Sequence, residues 1–304
     1  MSYNLRIFET LTVLGLLAAS LGPAKAAQLQ LNTSSPHSCA VVEGGNTASG
    51  TPVIAYSCSG GPEEQWEYVN GQLLGIGTAN GKSMCLDVTA NGIAPGTLVD
   101  LWPCNGGFNQ QWSIIDGSIV TAEPEAMGDL CLDSEGGPST GGGTQLVINE
   151  CTYGPSQNWI VRGLQIELNA SAPYLCVNVS GGDTANGTPV ITYSCDDGPA
   201  QVWSLENDQI LGTGTENGVS KCLTAAKFAT AGSLVNLTSC SSSLLEQQAW
   251  NITVSCDGGA SHCIVLADAA YLCLDSSGGP SVGGGTQLVV NTCSNAASQN
   301  WNVR

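Results

Sequence analysis

The chain is poor in basic residues: 7 Lys and Arg stand against 25 Asp and Glu in 304 residues, a formal net charge of -18. Nucleic acids and anionic lipids are held mainly by Lys and Arg against phosphate, so neutral partners suit this surface better. Histidine is scarce too, with only His37 and His262, and no Gly-x-Ser-x-Gly elbow occurs. That leaves no nucleophile-plus-base set, and the acidic residues scatter through turn segments rather than gathering as a hydrolytic pair. No enzymatic activity is expected. Cys-x-x-Cys is absent, and the Gly triplets at 141–143 and 283–285 are followed by neither Lys nor a helix start. Neither a metal nor a cofactor is therefore expected. Charged residues make up only 11%, and helical periodicity is missing beyond residue 26. Long surface helices are excluded on that ground.

Apolar runs are short everywhere. The longest, Leu11 to Leu21, follows Arg6 and precedes Ala24-Lys25-Ala26. It falls short of the roughly 20 residues a spanning helix needs, and its flanks read as a signal peptide over 1–26. The expected mature chain starts at Ala27 and is secreted and soluble.

What the sequence has in plenty is cysteine, glycine and repetition. The Cys residues fall in pairs 18 to 20 positions apart: Cys39 and Cys58, Cys85 and Cys104, Cys131 and Cys151, Cys176 and Cys195, Cys222 and Cys240, Cys273 and Cys293. Each pair is followed by a tryptophan, at 66, 112, 159, 203, 250 and 301, and five of these sit two residues after a glutamine; the first has Glu64 there. Six repeats of about 45 residues result. A longer period overlies them, since Gly50 to Cys58 recurs as Gly187 to Cys195 and Ser156 to Arg162 as Ser298 to Arg304. The chain is three repeats, duplicated, with expected domains at 27–163 and 164–304 and no linker rich in Pro or Ser between them. Runs such as Thr51 to Tyr56, Thr97 to Leu101 and Thr144 to Ile148 are rich in β-branched residues and lie between Gly, Asn and Pro. They are predicted strands in an all-β fold whose repeats close threefold. Even cysteine usage in an exported chain predicts a disulfide within each repeat, with Cys256 and Cys263 bridging a local hairpin in an insertion.

Six paired-Cys units, five ending in Gln-x-Trp and the first in Glu-x-Trp, grouped in threes, resemble the ricin B-type lectin family over residues 28 to 304. The resemblance implies a β-trefoil for each half and makes the Gln and Trp of the motif structural. It also implies sugar sites built from an Asp two residues after the first Cys, an aromatic two before the second, and a polar residue preceding the Gln. An aromatic face stacks on the apolar side of a hexose, while a carboxylate accepts from its hydroxyls and an amide donates to them.

Only the second repeat has the full set: Asp87, Trp102, Asn109 and Gln110, with Asp100 where the family often carries Gln. The third and sixth repeats are weaker candidates, with Asp133 and Asp275 but Asn149 and Asn291 in place of the aromatic. The first and fourth have Tyr56 and Tyr193 but Val41 and Asn178 instead of the carboxylate, and the fifth has Thr224 and Thr238. These three are expected to be inactive, for want of hydrogen-bond partners. Glycosylation sequons stand at Asn32, Asn169, Asn178, Asn186, Asn236 and Asn251, and glycans at Asn178 and Asn236 are expected to cover lost sites. The implied function is a secreted lectin for galactose- or N-acetylgalactosamine-type glycans, acting through repeat two. The alternative is a β-trefoil that binds protein, such as a protease inhibitor or defence protein.

Overall fold

A computed structural model describes residues 27–303, apart from 33–36, 80, 123–128, 135–142, 170–174, 197, 217–218, 254–262, 277–284 and 295. The expected signal peptide and Cys256 lie outside these residues. The described residues form 24 strands, the twelfth ending at Leu164 and the thirteenth starting at Ile166. Each half is thus a set of twelve. The predicted strands appear as Thr51–Ser57, Thr97–Pro103 and Thr144–Glu150. These three pair with one another at their ends, Thr51 opposite Leu101, Leu98 opposite Val147 and Thr144 opposite Ala55, which closes the threefold ring. The corresponding strands of the second half do the same.

Each of the six ring strands is preceded by a glycine at positive φ: Gly50, Gly96, Gly143, Gly187, Gly232 and Gly285, between +80° and +98°. A side chain there would be strained, so the last glycine of each triplet serves a turn. On the axis of each ring sits a glutamine that the sequence did not flag. Gln145 Nε2 donates to the carbonyls of Val53 and Val99, and Gln287 Nε2 to those of Val190 and Val235.

All six motif tryptophans are buried. Every indole N–H donates to a carbonyl 26 or 27 residues upstream, from Trp66 to Ala40 at 2.9 Å through to Trp301 to Leu274 at 2.9 Å. A buried N–H needs such a partner, and here it clamps the end of a repeat onto its first long strand. The motif glutamines bind backbone on both sides of the second cysteine. Gln157, for instance, accepts from Thr152 N at 2.8 Å and donates to Glu150 O at 2.9 Å. Six disulfides close within the repeats, with Cα atoms 4.9 to 5.1 Å apart. Each loop of this size is worth about 3 kcal/mol in the chain-entropy treatment. Cys263 is also disulfide-bonded. One departure from the all-β expectation is a four-residue helix, Leu245–Gln248, where repeat five is longer before its tryptophan.

The two halves meet about a pseudo-twofold axis. Ile114 pairs with Ile252, the same position of each half, and strand Trp159–Leu164 pairs with Trp203–Glu206 just as Val303 pairs with Tyr68. Asn32 Nδ2 donates to Asn207 Oδ1 at 2.8 Å and to Asn158 Oδ1 at 2.9 Å, while its counterpart Asn169 donates to Asn70 Oδ1 at 3.4 Å. N-glycosylation replaces a hydrogen on that nitrogen, so a glycan on Asn32 would break one of its contacts. Both side chains are joints between the halves.

Candidate functional site

In repeat two, strand Lys82–Val88 runs antiparallel to Thr97–Pro103, with Asp87 opposite Asp100 and Cys85 opposite Trp102. Alternation along each strand decides which way these point. Met84, Leu86, Val88, Val99 and Leu101 are fully buried in the core, so Asp87, Asp100 and Trp102 share the outer face. The turn Phe108–Gln110 brings Asn109 over the same face. A hollow of about 330 Å³ forms there, lined by Asp87, Asp100, Trp102 and Asn109. Thr89, Ala90, Asn91 and Asn105 complete its wall, none of which the motif pattern indicated.

The polar groups are held in fixed orientation. Asp87 Oδ2 accepts from Asn109 Nδ2 at 2.8 Å and from Gln110 Nε2 at 2.7 Å, so its other oxygen is left for hydroxyl donors. Asn109 spends its second amide hydrogen on Val88 O at 3.3 Å, which leaves its carbonyl oxygen as the free group. Asp100 accepts from the Thr89 hydroxyl at 3.1 Å through Oδ2; its Oδ1 is buried and has no hydrogen-bond partner among the described residues. Trp102 is 44% exposed although it is a large apolar side chain, and its ring is available for stacking. Burial pushes the Asp87 carboxyl up to about 6; the Gln110 amide opposes this, the neighbouring Asp100 adds to it, and Asn109 opposes it again. Asp100 is raised as well, by burial, with the Thr89 hydroxyl working against the rise.

Gln110 stands apart from the other expected site residues. It is fully buried and does not line the hollow; it donates to Asp87 and Pro103 O and accepts from Asn105 N. Its place among direct sugar contacts is therefore corrected: it aims the carboxylate. The corresponding positions of the other repeats are arranged differently. Asn149 Nδ2 donates to Asp133 Oδ2 at 3.2 Å and Asn291 Nδ2 to Asp275 Oδ2 at 3.1 Å, so each amide folds back onto the carboxylate instead of offering a flat face. In repeat five, Thr224 and Thr238 hydroxyls lie 2.7 Å apart and both accept from Gln248. In repeat one, Val41 and Ile54 pack beside the Cys39–Cys58 bridge, and Glu64 accepts from the Ser59 and Gly60 amides.

Repeat four keeps more than its residue pattern suggested. A hollow of about 500 Å³ survives there, lined among others by Asn178, Tyr193, Asp196 and Ala200, with Tyr193 47% exposed. Asn178 is only 8% exposed, and its Nδ2 donates to Val179 O at 2.9 Å. Among the described residues, the one cluster of metal-ligating types is Cys39, Cys58 and Glu64, and its two sulfurs are joined as a disulfide.

The model of the ricin-type beta-trefoil lectin domain matches residues 27–159 and 164–301. The chain belongs to that family, as two tandem domains whose kind generally binds carbohydrate rather than catalyses. No curated protein sequence matches the chain. Among solved structures it is similar to the agglutinin from Abrus precatorius, at 21% identity over 91% of this chain and 95% of that one, with a TM-score of 0.37. The designed threefold-symmetric protein ThreeFoil matches 45% of this chain and 97% of its own at 27% identity and TM-score 0.38. The C-half of an earthworm R-type lectin, solved in complex with GalNAc, covers 47% of this chain and 98% of its own at 15% identity and TM-score 0.31. Among the described residues, no helix is long and apolar enough to cross a membrane.

Proposed function

We propose that this lectin is secreted after removal of residues 1–26, and that it holds galactose- or N-acetylgalactosamine-type sugars chiefly in repeat two. One observation carries the reading: a fixed carboxylate oxygen on Asp87, the exposed indole of Trp102 and the Asn109 amide converge on a single hollow. An equatorial and an axial hydroxyl on adjacent carbons reach one carboxylate together, while the opposite apolar face of the ring lies on the indole. An even count of 14 cysteines, with six disulfides among the described residues, suits an oxidising compartment. A shallow site with one aromatic and few polar contacts gives a Kd of about 1 mM, near -4 kcal/mol.

The reading is tested by titrating the mature protein with galactose, N-acetylgalactosamine, glucose and mannose. Saturable binding of the first two with one site per chain is expected. Equal, weak responses to all four would leave the repeat-two hollow without this role.

A further inference from the structure

Hydroxyl recognition accounts for Asp87 but not for Asp100. A neutral hexose needs one carboxylate, yet this hollow has two, directly opposite each other on neighbouring strands. Like charges in that relation repel, and burial makes the repulsion costlier. The two are not relieved by a cation of the protein: no Lys, Arg or His lines the hollow, and Asp87 receives only neutral amides. Asp100 is 8% exposed and lines the hollow, and its buried Oδ1 has no donor among the described residues. A buried acceptor without a donor costs free energy until a ligand supplies one, and a positively charged donor supplies most. The Trp102 ring, beside the same two carboxylates, adds a face that attracts cations as well as apolar ring hydrogens.

We infer that repeat two selects a hexosamine whose amino group is free and protonated, with the ammonium placed at Asp87 and Asp100 and the pyranose ring on Trp102. This rests on the sugar-site reading above and narrows its ligand class. An N-acetyl group would remove the charge and two of the three donor hydrogens, so acetylated and free amines are distinguished by the same pair of oxygens.

The test is calorimetric titration of the mature protein at pH 7 and physiological salt, where attraction by the distant acidic surface is largely screened. Galactosamine should bind about tenfold or more tightly than galactose or N-acetylgalactosamine, the increment of one charge-assisted contact. Asp100→Asn should cut galactosamine affinity by about the same factor while galactose affinity changes less. Trp102→Ala should abolish binding of both, which separates a built site from general attraction to an acidic protein. Galactose bound as tightly as galactosamine would overturn the amino-sugar inference and leave the sugar-site reading standing. Undiminished galactosamine binding by Trp102→Ala would overturn it too. Binding of none of these sugars would sink both.

Discussion

Repeats two and four occupy the same position in the disulfide framework relative to their own tryptophans, and both present a hollow with an exposed aromatic, Trp102 in one and Tyr193 in the other. They differ in what lies at its floor. Asp87 keeps a carboxylate oxygen free because two amides hold the other; Asn178 turns its Nδ2 to the backbone of Val179, and Ala200 stands where repeat two has Asn109. The scaffold therefore makes the cavity, and a handful of outward-facing side chains decide its chemistry. Motif glutamines illustrate the division: Gln110 and Gln201 are equally buried, yet only Gln110 has a carboxylate to aim.

The sharpest break in this comparison comes from removing the working groups of repeat two. Trp102→Ala together with Asp87→Ala is expected to abolish retention on immobilised galactose, a loss of tenfold or more in affinity. Retention at the wild-type level would show that another repeat carries the binding. The converse experiment rebuilds repeat four. Asn178→Asp with Ala200→Asn should add a second weak site, read as a stoichiometry rising from one to two per chain, because Gln201 is already in place to hold the new carboxylate. A stoichiometry of one would mean that the larger hollow needs more than these two groups.

A smaller effect concerns stability. The folded Asp87 titrates near 6, against 3.8 for the free side chain, so between these values the folded form holds a proton that the unfolded chain has released. Stability from this group is thus greatest at low pH and declines as pH rises through that window, with the full penalty present above it. Asp87→Asn should raise the melting temperature at pH 7, by about 1–2 kcal/mol in stability, and have little effect near pH 4. No gain at pH 7 would show that the two amides already compensate the buried charge. Asp208, raised to about 6 by burial and by Asp116, offers the same test at the meeting of the two halves, away from either hollow. The smallest expected effect is that of Asp275→Ala on sugar binding, which should be nearly nil because Asn291 stands where repeat two has the Trp102 ring, leaving no aromatic face for a sugar to stack on. An equal loss to that of Asp87→Ala would invert the ranking of the repeats.

Much of the architecture was legible in one dimension. Cysteine spacing and the Gln-x-Trp period mark out six units in two groups of three, because a repeated disulfide and a repeated buried indole each require fixed chain lengths between their ends. The identity of the polar set in repeat two was legible as well, since Asp87, Trp102 and Asn109 stand at fixed offsets from those landmarks. Offsets do not tell which oxygen or hydrogen is already spent. That Gln110 points inward, that Asn149 closes over Asp133, and that Asn32 reaches across to the second half depend on partners up to 175 residues away.

Sequence by itself settled the number of repeats, their strands and the polar set at fixed offsets in repeat two, since these follow from local periodicity and from spacing between covalent staples. Tertiary structure alone decided that Asp87 and Asp100 lie opposite each other, that an empty floor persists beneath Tyr193, and that the halves dock through matching positions such as Ile114 and Ile252. Register and docking arise from contacts between distant strands, where one residue of slippage would turn every side chain to the other face.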